Sequence, residues 1–168
     1  MKVCAIGFGS RGKLYCDIFA KFGAEVAAVC DNKRERLEYA GEIHGISPDM
    51  LFESAGQFFG IGKLADLCIV ATQDVQHREH SVAAMKAGYD LLLEKPIATT
   101  LEDCLEIQDV AKKLGRSVFV CHVLRYAPFF ALIKNELDSG KYGRISTINL
   151  TENVGFWHYG HSYVRGNW

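Results

Sequence analysis

A doubly wound α/β fold, with helices on both faces of a parallel sheet, follows from three observations on these 168 residues. Short apolar runs recur: VCAI, EVAAVC, DLCIVA, YDLLL and SVFVC. Each is continuous rather than alternating, as strands buried on both faces are. Helix-periodic segments separate them, the pattern that gives crossover connections. Third, the first run breaks into Gly7, Gly9 and Gly12, spaced G-x-G-x-x-G and opening straight into a helix.

That first stretch organises the rest. From Arg11 onward Leu14, Tyr15, Ile18, Phe19 and Phe22 recur at steps of three and four, so strand, glycine turn and helix follow without a gap. In such a setting the first glycine allows the tight turn, the second lets a pyrophosphate approach the backbone, and the third lets helix and strand pack closely. The helix start then offers N–H groups and a positive dipole end to an anion. Gly7, Phe8, Gly9, Ser10, Arg11 and Gly12 are therefore the expected cradle of a dinucleotide. A glycine-rich turn without ligand is the plain alternative.

Composition limits the function classes. A net charge of −1 gives no electrostatic footprint for nucleic acid. No apolar stretch approaches membrane-spanning length, and the chain enters a strand at once with no signal-peptide pattern. Six cysteines without a CxxC pair read as small buried residues in a reducing cytoplasm, so a metal site is not expected.

The second strand, residues 25–30, ends at Asp31, 19 positions after Gly12. An acid there hydrogen-bonds the adenosine ribose and disfavours a 2′-phosphate, which selects NAD over NADP. Asp31 also suits the N-cap of a helix over 32–44. Lys33 and Arg34 follow; they read as a solvated helix face, or as partners for a phosphate that leave NADP possible. Residues 50–52 and 54–59 form a short strand and helix, with Phe58 and Phe59 inward.

The strand at 66–71 runs into Thr72, Gln73 and Asp74, expected at the nicotinamide half of the cleft because ligands lie beyond strand carboxyl ends. A helix over 75–87 carries His77 and His80. The i, i+3 spacing alone does not make a metal site; His77 is expected to face the cleft, and His80 to cap or pack. The strand at 89–93 ends in Glu94-Lys95-Pro96. Proline constrains Lys95 toward extended backbone, and its ammonium, aimed into the cleft, stabilises negative charge on a substrate oxygen. A lone lysine at a strand end is otherwise a solvated charge.

The segments AIGFGSRG, TQDVQHREHSVAAMKAGYDLLLEKPIATTLED and HVLRYAPFF together resemble the Gfo/Idh/MocA oxidoreductases over nearly the whole chain. The resemblance implies a Rossmann domain over 1–122, followed by the beginning of a substrate and oligomerisation domain over 123–168. It implies that Lys95 is catalytic with Glu94 positioning it, and that Gly7, Gly9, Gly12 and Asp31 hold the cofactor. Thr72 and His77 match the ends of the family's T-P-N-x-x-H pattern, with Gln73 and Asp74 in place of Pro and Asn. Arg125 matches a cleft arginine, or fixes the domain junction through a salt bridge. The implied activity is hydride transfer between NAD(P) and a secondary alcohol of a sugar or cyclitol, in a homo-oligomer. An NAD-using glycosidase of the same family and a non-catalytic dinucleotide-binding module are the alternatives.

Beyond Pro96, Thr99 or Thr100 caps a helix ended by Gly115. A strand follows over 117–121, then a helix over 128–137. Residues 144–154 alternate and are β-branched, as in a half-buried antiparallel strand. The tail from Gly155 to Trp168 is aromatic, packing on a sugar or on a missing domain. His158, His161 and Tyr163 are candidate proton-transfer groups there, packing being the other reading. The whole reads as the N-terminal portion of a larger enzyme.

Overall fold

In KVCAI, Val3 and Ala5 face one side of a sheet, Cys4 and Ile6 the other, and all four are buried. A strand with two apolar faces needs helices on both, and the computed structural model, which describes residues 1–160 and 164, supplies them. The chain divides into two units, Met1–Cys121 and residues 122–168.

The first unit holds β1 (Lys2–Ile6), α1 (Ser10–Lys21), β2 (Glu25–Cys30), α2 (Arg34–His44), β3 (Leu51–Phe52) and α3 (Ala55–Gly60). It continues with β4 (Leu67–Val70), α4 (His77–Lys86), β5 (Asp90–Leu93), α5 (Leu101–Leu114) and β6 (Val118–Val120). The sheet is parallel in the order β3-β2-β1-β4-β5-β6. Strand order reverses between β1 and β4, which opens a crevice above their carboxyl ends.

One face packs Cys4, Ile6, Cys30, Val70 and Leu93 with Phe58, Met85 and Ile107 from α3, α4 and α5. The other packs Val3, Ala5, Val29 and Ile69 with Cys16, Leu37 and Ala40 from α1 and α2. The Thr100 hydroxyl accepts from the Asp103 N–H at 3.1 Å to start α5, and Gly115 in the left-handed region ends it.

The ladder reaches one residue beyond each central strand. Gly7 N–H donates to Cys30 O at 2.8 Å, Ala71 to Ile6 O at 2.9 Å, Glu94 to Val70 O at 2.9 Å and Cys121 to Leu93 O at 2.8 Å. The loops that leave the sheet toward the crevice therefore start level with one another.

The second unit carries a 3-10 turn at Val123–Tyr126, α6 (Pro128–Asp138) and α7 (Phe156–Tyr159). Residues 144–154, expected as an antiparallel strand, form none and are exposed. Their alternation meets no partner among the described residues, and an isolated strand has no ladder to satisfy its backbone. Among the described residues, no helix is long and apolar enough to cross a membrane.

Candidate active site

The three motif glycines differ in what surrounds them. Gly7 has φ +86°, and a Cβ there would lie 2.5 Å from Ala71 O. A Cβ on Gly12 would sit 1.9 Å from Gly7 O, so helix and turn touch backbone to backbone. At Gly9 a Cβ would meet only the Arg36 guanidinium, at 3.6 Å. The first and third glycines close the turn on the sheet, and the second leaves its backbone open to a ligand.

Gly9 caps α1 without a side-chain bond, and the first turn contains no acid. Its N–H groups and dipole are thus left to an external anion. Ser10 and Arg11 are exposed on this turn. Phe8 contributes backbone only: its ring is buried, edge-on to His44 at 6.1 Å.

Asp31 is buried and heavily bonded. Its Oδ2 accepts from the Phe8 N–H at 2.7 Å and from Arg36 Nη1 at 3.1 Å, and its Oδ1 from the Lys33 N–H at 2.9 Å. The cap expectation is corrected in part. Lys33, not Asp31, is the N-cap of α2, and it caps with no side-chain bond. The carboxylate instead bridges the glycine turn and the start of α2. Arg34 pairs with Glu38 at 3.0 Å, as a solvated helix face does.

Glu94 is 7% exposed at the end of β5. Its Oε1 accepts from the Tyr15 hydroxyl and lies 3.8 Å from Arg11 Nε, while Oε2 accepts from the Lys95 N–H at 2.8 Å. The Lys95 side chain is exposed, and the Lys95–Pro96 peptide is cis. The glutamate thus fixes the backbone of the lysine while the ammonium stays available.

His77 does not face an open cleft. It is fully buried, its Nδ1 donates to Pro96 O at 2.7 Å, and its Nε2 lies 3.2 Å from Thr72 O. A ring so enclosed acts through the backbone of Thr72 and Pro96, which corrects its expected cleft position. His80 packs, with Nδ1 3.1 Å from Thr72 Oγ1, and burial pushes its pKa down. Thr72 is half-buried and Gln73 exposed at the β4 end.

Arg125 lies in the second unit, exposed on its 3-10 turn. His158 lies on α7; His161 and Tyr163 fall outside the described residues. Sequence reading missed Tyr15 and Arg36 as site residues. One sat within an apolar helix stripe and the other among charges, and only the packing of α1 and α2 brings them in.

A family model described as an oxidoreductase family with an NAD-binding Rossmann fold, GFO_IDH_MocA, matches residues 1–122. The chain belongs to the Gfo/Idh/MocA oxidoreductases. An inositol 2-dehydrogenase of Saccharopolyspora erythraea is 33% identical over 165 residues, which is 93% of this chain and 46% of that protein. A D-apiose dehydrogenase of Paraburkholderia graminis is 32% identical over 82% of this chain and 36% of its own length. The WlbA dehydrogenase of Bordetella pertussis, solved with NADH and UDP-GlcNAcA, superposes with a TM-score of 0.79 at 28% identity. That match covers 86% of this chain and 44% of WlbA. The chain thus spans less than half the length of these Gfo/Idh/MocA relatives.

Proposed function

We propose that the chain binds NAD at the crevice and contributes Lys95 to hydride transfer between that cofactor and a secondary alcohol of a sugar or cyclitol. The observation that carries this is the pairing of an open, uncapped glycine turn with an exposed lysine whose backbone a buried Glu94 holds, both at the carboxyl end of one sheet. The named relatives, dehydrogenases of inositol and apiose, support the substrate class.

Gly7, Phe8, Gly9, Ser10, Arg11 and Gly12 would line the pyrophosphate. Asp31 would take the ribose, and Thr72 and Gln73 would lie toward the nicotinamide. Bound there, NAD supplies a two-electron acceptor for the hydride. The Lys95 ammonium would hydrogen-bond the substrate oxygen and stabilise the negative charge that develops there as the hydride leaves the carbon, while a separate base, for which His158 is a candidate, would take the hydroxyl proton. Glu94 and Tyr15 keep that lysine in place, and His77 holds the adjoining turn. Residues 123–168, with Arg125, would begin a domain that meets the substrate and other copies of the chain.

Calorimetric titration of the chain with NAD, and a cyclitol and aldose panel read by NADH formation on the full-length protein, test this. Saturable NAD binding is expected in wild type and in Lys95→Ala alike, with NADH formation abolished in the variant. Equal turnover in both would remove Lys95 from the chemistry. Tight binding with no turnover of any polyol would favour a dinucleotide-binding module.

A further inference from the structure

The Asp31 carboxylate, which taken alone would repel a 2′-phosphate, has an arginine against it. Arg36 Nη1 lies 3.1 Å from Oδ2 and 3.4 Å from Oδ1, and the same guanidinium is 3.6 Å from the Cβ position of Gly9. It therefore hangs over the glycine turn at the adenosine end rather than along the outer face of α2. Its side chain is 41% exposed, so solvent-side space is open to it, while the Asp31 side chain is 3% exposed.

Resting on the NAD-binding reading above, we propose that Arg36 sets the choice between NAD and NADP, turning onto a 2′-phosphate when one is present and so admitting both cofactors. The planar guanidinium matches phosphate geometry through paired N–H donors. When it leaves, Asp31 keeps the N–H groups of Phe8 and Lys33, at 2.7 and 2.9 Å, so no buried charge is orphaned. With a 2′-hydroxyl instead, Arg36 stays on Asp31 and the carboxylate accepts from the ribose.

Arg34, two residues earlier, does not compete for this role. It pairs with Glu38 at 3.0 Å and lies 4.0 Å from Glu53. Sequence order alone pointed to Lys33 and Arg34, the residues nearest Asp31; the helical turn brings Arg36 back instead.

The test is calorimetric titration of the chain, Arg36→Ala and Arg36→Lys with NAD and with NADP, each protein first shown folded by circular dichroism. Wild type is expected to bind both, with dissociation constants within about tenfold of each other. Arg36→Ala should weaken NADP by about tenfold or more while NAD stays within about threefold, and Arg36→Lys should fall between. NAD binding by wild type with no detectable NADP binding overturns the proposal, as does an equal loss of both cofactors in Arg36→Ala. Failure of folded wild type to bind NAD overturns the cofactor reading and this proposal together, a pattern distinct from a changed ratio.

Discussion

The Tyr15 hydroxyl of α1 donates to Glu94 at the end of β5, joining the helix that opens at the glycine turn to the strand that presents Lys95. Burial first, and then this bond, push the Tyr15 pKa up, so its proton stays in place across the working range. Tyr15 is a positioning residue. Tyr15→Phe keeps the ring and deletes the donor, leaving one oxygen of a 7%-exposed carboxylate short of a partner. A loss of about 1–3 kcal/mol is expected by urea unfolding. An unchanged midpoint would show that Arg11 or water replaces the bond.

The motif glycines should separate into two kinds under Ala substitution. Gly12→Ala places a Cβ 1.9 Å from a backbone oxygen and should cost about 3 kcal/mol or leave the chain unfolded. Gly9→Ala meets only a side chain at 3.6 Å, and its φ of −72° suits alanine. Its stability should stay within about 1 kcal/mol of wild type, while NAD affinity falls. Thermal melts and NAD titration on the two variants check this, and equal destabilisation would contradict the division.

Two histidines predict the acid side of the stability curve. Burial lowers the pKa of His44, between Asp17 and Lys13, and of His80, beside Thr72, Glu79 and His77. Folded values below the ordinary 6.5 mean that the unfolded chain binds more protons as pH drops. Their contribution is therefore complete above pH 6.5 and is lost as pH falls through the folded values. Urea midpoints should decline on acidification before the carboxylates titrate. His80→Gln should flatten part of that decline.

Five of the six cysteines should be inert in the folded chain. Burial pushes the Cys16 and Cys30 thiols up to about 12 and raises Cys121 too, while the Cys68 thiol is raised first by its hydrogen bond with Cys4 and then by burial. Cys104 is the least buried of the six. A thiol reagent should modify Cys104 first, and the other five at full rate only after denaturation. Mass mapping of the modified sites reads the order.

The sheet was legible because its strands are buried on both faces: VCAI has no polar residue, and EVAAVC has one only at its exposed first position, Glu25. The glycine spacing carried the turn, and Glu94-Lys95-Pro96 stood out by its place at a strand end and by the family resemblance rather than by its residues alone. Tyr15 and Arg36 were illegible because their roles depend on how α1 and α2 roll against the sheet, which one-dimensional spacing does not encode. Residues 144–154 misled for the opposite reason. Alternation reports which face a strand would bury, but pairing decides whether the strand exists. His77 fell between the two, since its place near the start of the helix after β4 was readable and the carbonyls it bonds were not.

The His77 ring has a mechanical consequence. By bonding Pro96 O and contacting Thr72 O it splints the loop after β4 to the turn after β5. If the nicotinamide lies there as proposed, its side of the crevice would behave as one stiff plate. At the proposed adenosine side, Asp31 is held by two backbone donors and by the half-exposed side chain of Arg36. On the proposed placement, any adjustment to an incoming dinucleotide would fall on that edge, the cofactor seating against a fixed wall and being latched from the opposite side.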